Sequence, residues 1–180
     1  MRRERGAALA EFAIVLPVFF GLILGLFTGG IAYNRKITLS NAAREGTRYG
    51  ATLPVCNPNF CGLNNWLASV ADIVQRNASG DLANGTAGLQ ICVAYVYPAG
   101  SAAGLTNDQT TMLVRTTGDA VGTPASPVSG FPSGTCFDDG RPSTERRVQV
   151  QVTRQSTLQA LVFSWNLNLS STSVTHFEAA

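Results

Sequence analysis

The sequence predicts an α+β fold: a long N-terminal transmembrane helix extends into a small extracytoplasmic domain with a short helix and a three- or four-stranded, mostly antiparallel sheet. Three observations carry that prediction. Residues 12–33 contain no charged side chain. Residues 64–76 repeat apolar positions at helical spacing, and residues 147–153 alternate with the two-residue period of a strand.

The first element is FAIVLPVFFGLILGLFTGGIAY, residues 12–33. At about 1.5 Å of rise per residue it covers a hydrocarbon core of about 30 Å, so it reads as a span rather than a buried core helix. Pro17 removes a backbone donor and crowds the preceding turn, which predicts a bend or a local loosening. Gly21, Gly25 and Gly29 recur about one turn apart and so share a face on which a second helix backbone can approach closely. Residues 34–51 have few helix breakers before Gly46 and continue the helix beyond the bilayer until Pro54 ends the run. On this extension Asn41, Arg44 and Arg48 share one face, while Leu39, Ala42, Ala43, Gly46 and Gly50 form a small, apolar side suited to a sheet.

The second helix, NNWLASVADIVQR, places Trp66, Leu67, Val70, Ile73 and Val74 on one stripe. Strands follow at residues 89–97, 147–153 and about 166–177, with a weaker one at 110–115. In the middle strand Val148, Val150 and Val152 face one way and Gln149, Gln151 and Thr153 the other, which predicts one covered and one wet sheet face. Residues 98–144 are rich in Gly, Pro, Ser and Thr and read as long loops restrained by Cys136. Residues 158–163 are mostly apolar and are expected against the helix or the membrane surface.

Length and composition bound the function. A chain of 180 residues has room for one membrane helix and one ordinary domain. A net charge of +2, without a sustained basic stripe, gives no reason to expect nucleic acid as a partner. The four cysteines, Cys56, Cys61, Cys92 and Cys136, all follow the apolar segment and suit an oxidising compartment. Three pairings are open to them; Cys56 with Cys61 and Cys92 with Cys136 is favoured, because the first pair brackets a short loop containing Pro58. A zinc site is disfavoured, since Cys92 and Cys136 lack close-paired spacing. His176, the sole histidine, sits near the end of a predicted strand, and no phosphate-cradling loop or dinucleotide fingerprint is present. Asp138 and Asp139 lie in a glycine-flanked loop and read as a solvated turn rather than a calcium site. No enzyme activity, catalytic residue, metal or cofactor is expected.

The informative charge is Glu11, immediately before the apolar run. Gly6, Ala7 and the residues through Phe12 read G-AALA-EF behind a leader containing Arg2, Arg3 and Arg5. This resembles the processing site of type IV pilins and pseudopilins, in which a prepilin peptidase cuts after the glycine on the cytoplasmic side. The resemblance implies cleavage between Gly6 and Ala7, with Glu11 as the fifth residue of the mature chain. Adding Pro17 and the segment AAREGTR, with Ala43, Arg44 and Arg48, the stretch from Gly6 to Tyr49 is similar to the TadE-like family of tight-adherence (Flp) pilus systems. The rest of the chain has only a generic likeness to that family.

The expected organisation is therefore a leader at 1–6, a transmembrane helix at 7–33, its extension at 34–53 and an extracytoplasmic α+β domain at 54–180. Arg35, Lys36, Arg44 and Arg48 rival the N-terminal arginines, so charge alone does not orient the span. The leader and the cysteine-bearing C-terminal part place the N-terminus in the cytoplasm, with the chain single-pass in the inner membrane and the cell surface or pilus as its field of action. A secretory signal cut before Tyr33, after Gly30-Ile31-Ala32, is disfavoured because signal h-regions run only about 7–15 residues. The resemblance implies a minor pilin or pseudopilin in pilus assembly and surface adhesion, with prepilin peptidase, other pilins, Tad/Flp assembly proteins and the membrane as partners. The alternative is a membrane-tethered binding or adhesion domain that never enters a filament.

Overall fold

The computed structural model describes residues 2–54, 56–57, 60–78, 80–101, 106–118, 134–142, 144–160 and 163–177. It has a long N-terminal helix, a short helix and a four-stranded antiparallel sheet, the α+β arrangement the sequence predicts. Helix α1 runs from Arg2–Thr52 without interruption through Pro17. The extension expected beyond the apolar segment is thus the same helix, which stops just before Pro54, and Leu53 N still donates to Tyr49 O at 3.0 Å.

A small antiparallel ladder, β1 (Cys56–Asn57) with β2 (Phe60–Cys61), leads into α2 (Leu63–Asn77). The main sheet comprises β3 (Gln90–Val96), β4 (Thr111–Thr116), β5 (Arg147–Ala160) and β6 (Phe163–His176), in the spatial order β4-β3-β5-β6 with every pair antiparallel. Strand β3 is therefore central, and its near-continuous apolar run fits burial on both faces.

One sheet face packs against α1 and α2. Leu39, Ala42 and Ala43 of α1, Trp66, Leu67, Val70 and Val74 of α2, and Ile91, Val93, Tyr95, Val148, Val150 and Val152 of the sheet form one buried cluster. The small residues read as a packing side are indeed inward, whereas Asn41, Arg44 and Arg48 are exposed. Ile73, expected on the buried stripe of α2, is only half-buried because it lies at the margin of that contact.

The opposite sheet face corrects an expectation. It is not simply wet: Cys92, Ala94, Val96, Met112 and Val114 form a second buried cluster with Cys136 and Phe137. The cause is the Cys92–Cys136 disulfide, which draws the following loop across the sheet. Gln149 is fully buried beneath that loop. It accepts from Cys136 N at 3.1 Å and donates to Phe137 O at 3.2 Å and Asp139 Oδ2 at 2.7 Å, so its amide is satisfied within the protein.

Residues 158–160 and 163 lie in the hairpin of β5 and β6, and residues 161–162 lie outside the described residues. Strands β5 and β6 are longer than their alternating cores suggested, and they pair in continuous register as far as Ala160↔Phe163. Leu158, Ala160 and Phe163 thus stand toward the distal end of this hairpin, where each strand satisfies the other's backbone.

Candidate functional site

The distinctive surface of this chain is the uncovered part of α1. Within Glu11–Thr52 lies a window of mean hydropathy 2.3, none of it buried, which is long and apolar enough to cross a membrane. Leu22, Leu26 and Phe27 are exposed, as are Phe12, Ile14, Val15 and Val18 nearer the N-terminus. In water such a surface would be a large association liability, because each fully exposed large apolar side chain forgoes about 1.5–3 kcal/mol of burial. In lipid the same side chains meet a solvent of their own kind, and the helical backbone satisfies its own hydrogen bonds.

The predicted residues fall along this helix. Glu11 is exposed at the start of the apolar run. Gly6 and Ala7 lie in the first turns of α1, their surroundings outside the described residues. Pro17 follows within the helix, and Gly21, Gly25 and Gly29 have nothing within 4 Å of where a Cβ would stand. Gly46 and Gly50 behave differently. A Cβ on Gly46 would run into Val74, and one on Gly50 would stand 3.1 Å from Trp66, Val70 and Val148. One helix thus carries glycines of two kinds: one set lets it lie close to its own sheet and α2, and the other is open.

The cysteines divide as well. Cys92 and Cys136 form a disulfide across 44 residues. Cys56 and Cys61 are register partners in the small β1–β2 ladder, but their side chains, and so the pairing expected of them, lie outside the described residues.

Several interactions that hold the domain on the helix had no sequence signal. Trp66 Nε1 donates to Leu53 O at 3.1 Å, fastening α2 to the end of α1. Trp66 also packs edge-on against Tyr95, which stacks on Tyr97, and Phe177 closes the group. Burial, reinforced by Tyr97 and opposed by Arg146, pushes the Tyr95 hydroxyl up to about 12. Arg115 is fully buried on β4 and reaches Asp72 Oδ1 at 2.5 Å and Gln75 Oε1 at 3.2 Å on α2.

Asp139 departs from the solvated turn expected of it. Its carboxylate takes Arg147 Nε at 2.6 Å and Nη2 at 3.1 Å, as well as the backbone N–H of Arg141. Burial works against the charge, but the bonds from Gln149, Arg141 and Arg147 outweigh it and hold the carboxyl below its ordinary range. Asp138 remains exposed, and His176 lies at the surface, 2.8 Å from Arg141 Nη1 and 2.9 Å from Glu145 Oε1.

The result is an uncovered apolar helix, opened by Glu11 and rooted in a small domain. Residues 6–48 match the family model described as TadE-like protein. The matched segment is a minority of the chain, yet it takes in Glu11, Pro17, the open glycines and the first packed turns of α1. No curated protein and no solved structure matches the chain. The TadE-like segment suggests a place in Tad pilus systems and association with the membrane, and the family is a pilin-type structural one rather than an enzymatic one.

Proposed function

We propose that this protein is a TadE-like minor pilin or pseudopilin that takes part in Tad/Flp-type pilus assembly and surface adhesion. The observation that carries the reading is the uncovered apolar stretch of α1, opened by Glu11 and lying within the TadE-like match. The chain is made as a precursor with a leader at 1–6 and is cut after Gly6 by a prepilin peptidase. The helix at 7–33 then holds it in the inner membrane, and residues 34–53 carry the domain at 54–180 on the extracytoplasmic side.

Glu11 has a physical part in this scheme. A carboxylate held within a membrane costs about 2–3 kcal/mol near the centre and less toward the interface, so it seeks a partner. Cleavage before Ala7 creates an ammonium, of its own chain or of a neighbour, that can neutralise it. Helix-to-helix packing along Gly21, Gly25 and Gly29 brings subunits together without a hydrophobic driving force, through close backbone contact.

Shearing surface filaments from cells with an intact pilus system tests this proposal. The protein is expected in the sheared fraction or bound to the assembly complex, and to leave both when the prepilin peptidase is removed. Retention in the membrane fraction, unaffected by the peptidase and free of pilus components, would instead identify a tethered binding or adhesion domain.

A further inference from the structure

The hairpin of β5 and β6 carries an apolar face that the domain does not use. Along β6 the order FSWNLNL alternates, with Phe163, Trp165, Leu167 and Leu169 on one side and Ser164, Asn166 and Asn168 on the other. Leu169 is buried, but Phe163, Trp165 and Leu167 are 63%, 59% and 41% exposed. Phe163 and Trp165 stack with their ring centroids 5.9 Å apart.

The position of this face along α1 follows from three contacts. Val148 lies against Gly50, Val150 against Gly46, and Ser156 Oγ accepts from Arg35 Nη1 at 2.9 Å. Strand β5 therefore descends along α1 toward the helix N-terminus. From Ser156 to Ala160 it adds about 13 Å at the strand rise, equal to about nine residues of helix, which brings the hairpin end near the level of Phe27. That level lies within the uncovered apolar surface, where Phe27 and Ile31 are exposed.

Farther along the same hairpin, at the register of Leu169 and Leu167, lies a polar clasp. Arg154 Nη1 reaches Asp81 Oδ1 at 2.6 Å, and Arg35 Nε lies 3.8 Å from the same oxygen. Charge above and aromatic rings below is the order found across a membrane–water interface, where amphipathic rings settle at the headgroup level.

We propose that the end of the β5–β6 hairpin is a second membrane contact, seating Phe163, Trp165 and Leu167 in the outer leaflet beside α1. The occupant of this face is lipid, because the face continues at the same depth the surface through which α1 meets the bilayer. The contact is interfacial rather than deep, since the outer edge of β6 presents backbone groups that hydrocarbon cannot satisfy. It fixes the tilt of α1, and of the domain packed on it, relative to the membrane. This inference rests on the reading of α1 as a span with the domain outside.

Bromine-labelled phosphatidylcholine vesicles carrying the full chain test it, compared with vesicles carrying Trp165→Phe. Trp66 is buried, so the difference between the two reports Trp165. The expected result is a blue-shifted Trp165 emission, quenched more by bromines near the headgroup than by bromines near the chain ends. Phe20→Trp in the Trp165→Phe background separates the two claims, because deep bromines quench it if α1 spans. Quenching of the Phe20→Trp probe with an unquenched Trp165 overturns the hairpin contact while the span stands. Loss of both signals overturns the span and the inference with it. A blue-shifted Trp165 that bromine does not quench means the face is covered by a second copy rather than lipid, which also overturns it.

Discussion

At Gly46 a side chain has no room, because Val74 already occupies the space and Val150 stands close behind it. At Gly25 a side chain meets nothing. Gly46→Leu should therefore destabilise the domain by about 1–3 kcal/mol through overpacking, whereas Gly25→Leu should leave the thermal midpoint of the detergent-solubilised chain unchanged. Equal losses in a side-by-side melt would show that the two glycines are not of different kinds. Both could be singled out in the sequence, since each falls on a small-residue stripe at helical spacing. Asp139 could not, because its partners Arg147 and Gln149 come from a strand and its turn is shaped by the Cys136 loop. With its pKa lowered in the folded state, Asp139 contributes stability that is present above the ordinary carboxylate pKa of about 3.9 and is lost as pH falls through the lower folded value. The difference in thermal midpoint between the native chain and Asp139→Asn should hence be constant near neutrality and shrink below about pH 4. A difference that grows on acidification would contradict the assignment.

Among the elements, α1 was legible as a long uncharged apolar run, α2 because its apolar residues repeat at helical spacing, and β3 and the upper part of β5 because Val, Ile and Tyr mark them. The lower half of β5 was not, since TRQSTLQA carries little strand signal and its pairing is dictated by the opposite strand, whereas β6 was read from about residue 166 and only its first three residues were missed. The covering of the second sheet face was also out of reach of periodicity, because it depends on a covalent bond between Cys92 and a distant loop. That bond closes a separation of 44 residues, so reducing it should cost the domain about 2–4 kcal/mol. Urea unfolding of the oxidised native chain against Cys92→Ala/Cys136→Ala, with Cys56 and Cys61 left unchanged in both, checks this. An unchanged midpoint would mean that Met112, Val114 and Phe137 hold the loop without help.

For the whole molecule, the division of α1 decides the account. Its C-terminal turns are walled in by α2 and the sheet, while its N-terminal turns are bare from Phe12 onward. The general architecture could be read from the chain, but the strand order β4-β3-β5-β6 and the depth reached by the hairpin required the fold. If Glu11 neutralises an N-terminal ammonium during assembly, Glu11→Gln should leave the protein in the membrane fraction and reduce its recovery with sheared pili. Equal recovery would remove that role. The central claim, a pilin-type precursor processed at its leader, is tested most directly by the mature N-terminus of the membrane-extracted protein from cells with their own prepilin peptidase. Intact mass and N-terminal peptide mapping should find a chain that begins at Ala7; one that still begins at Met1 would contradict the account.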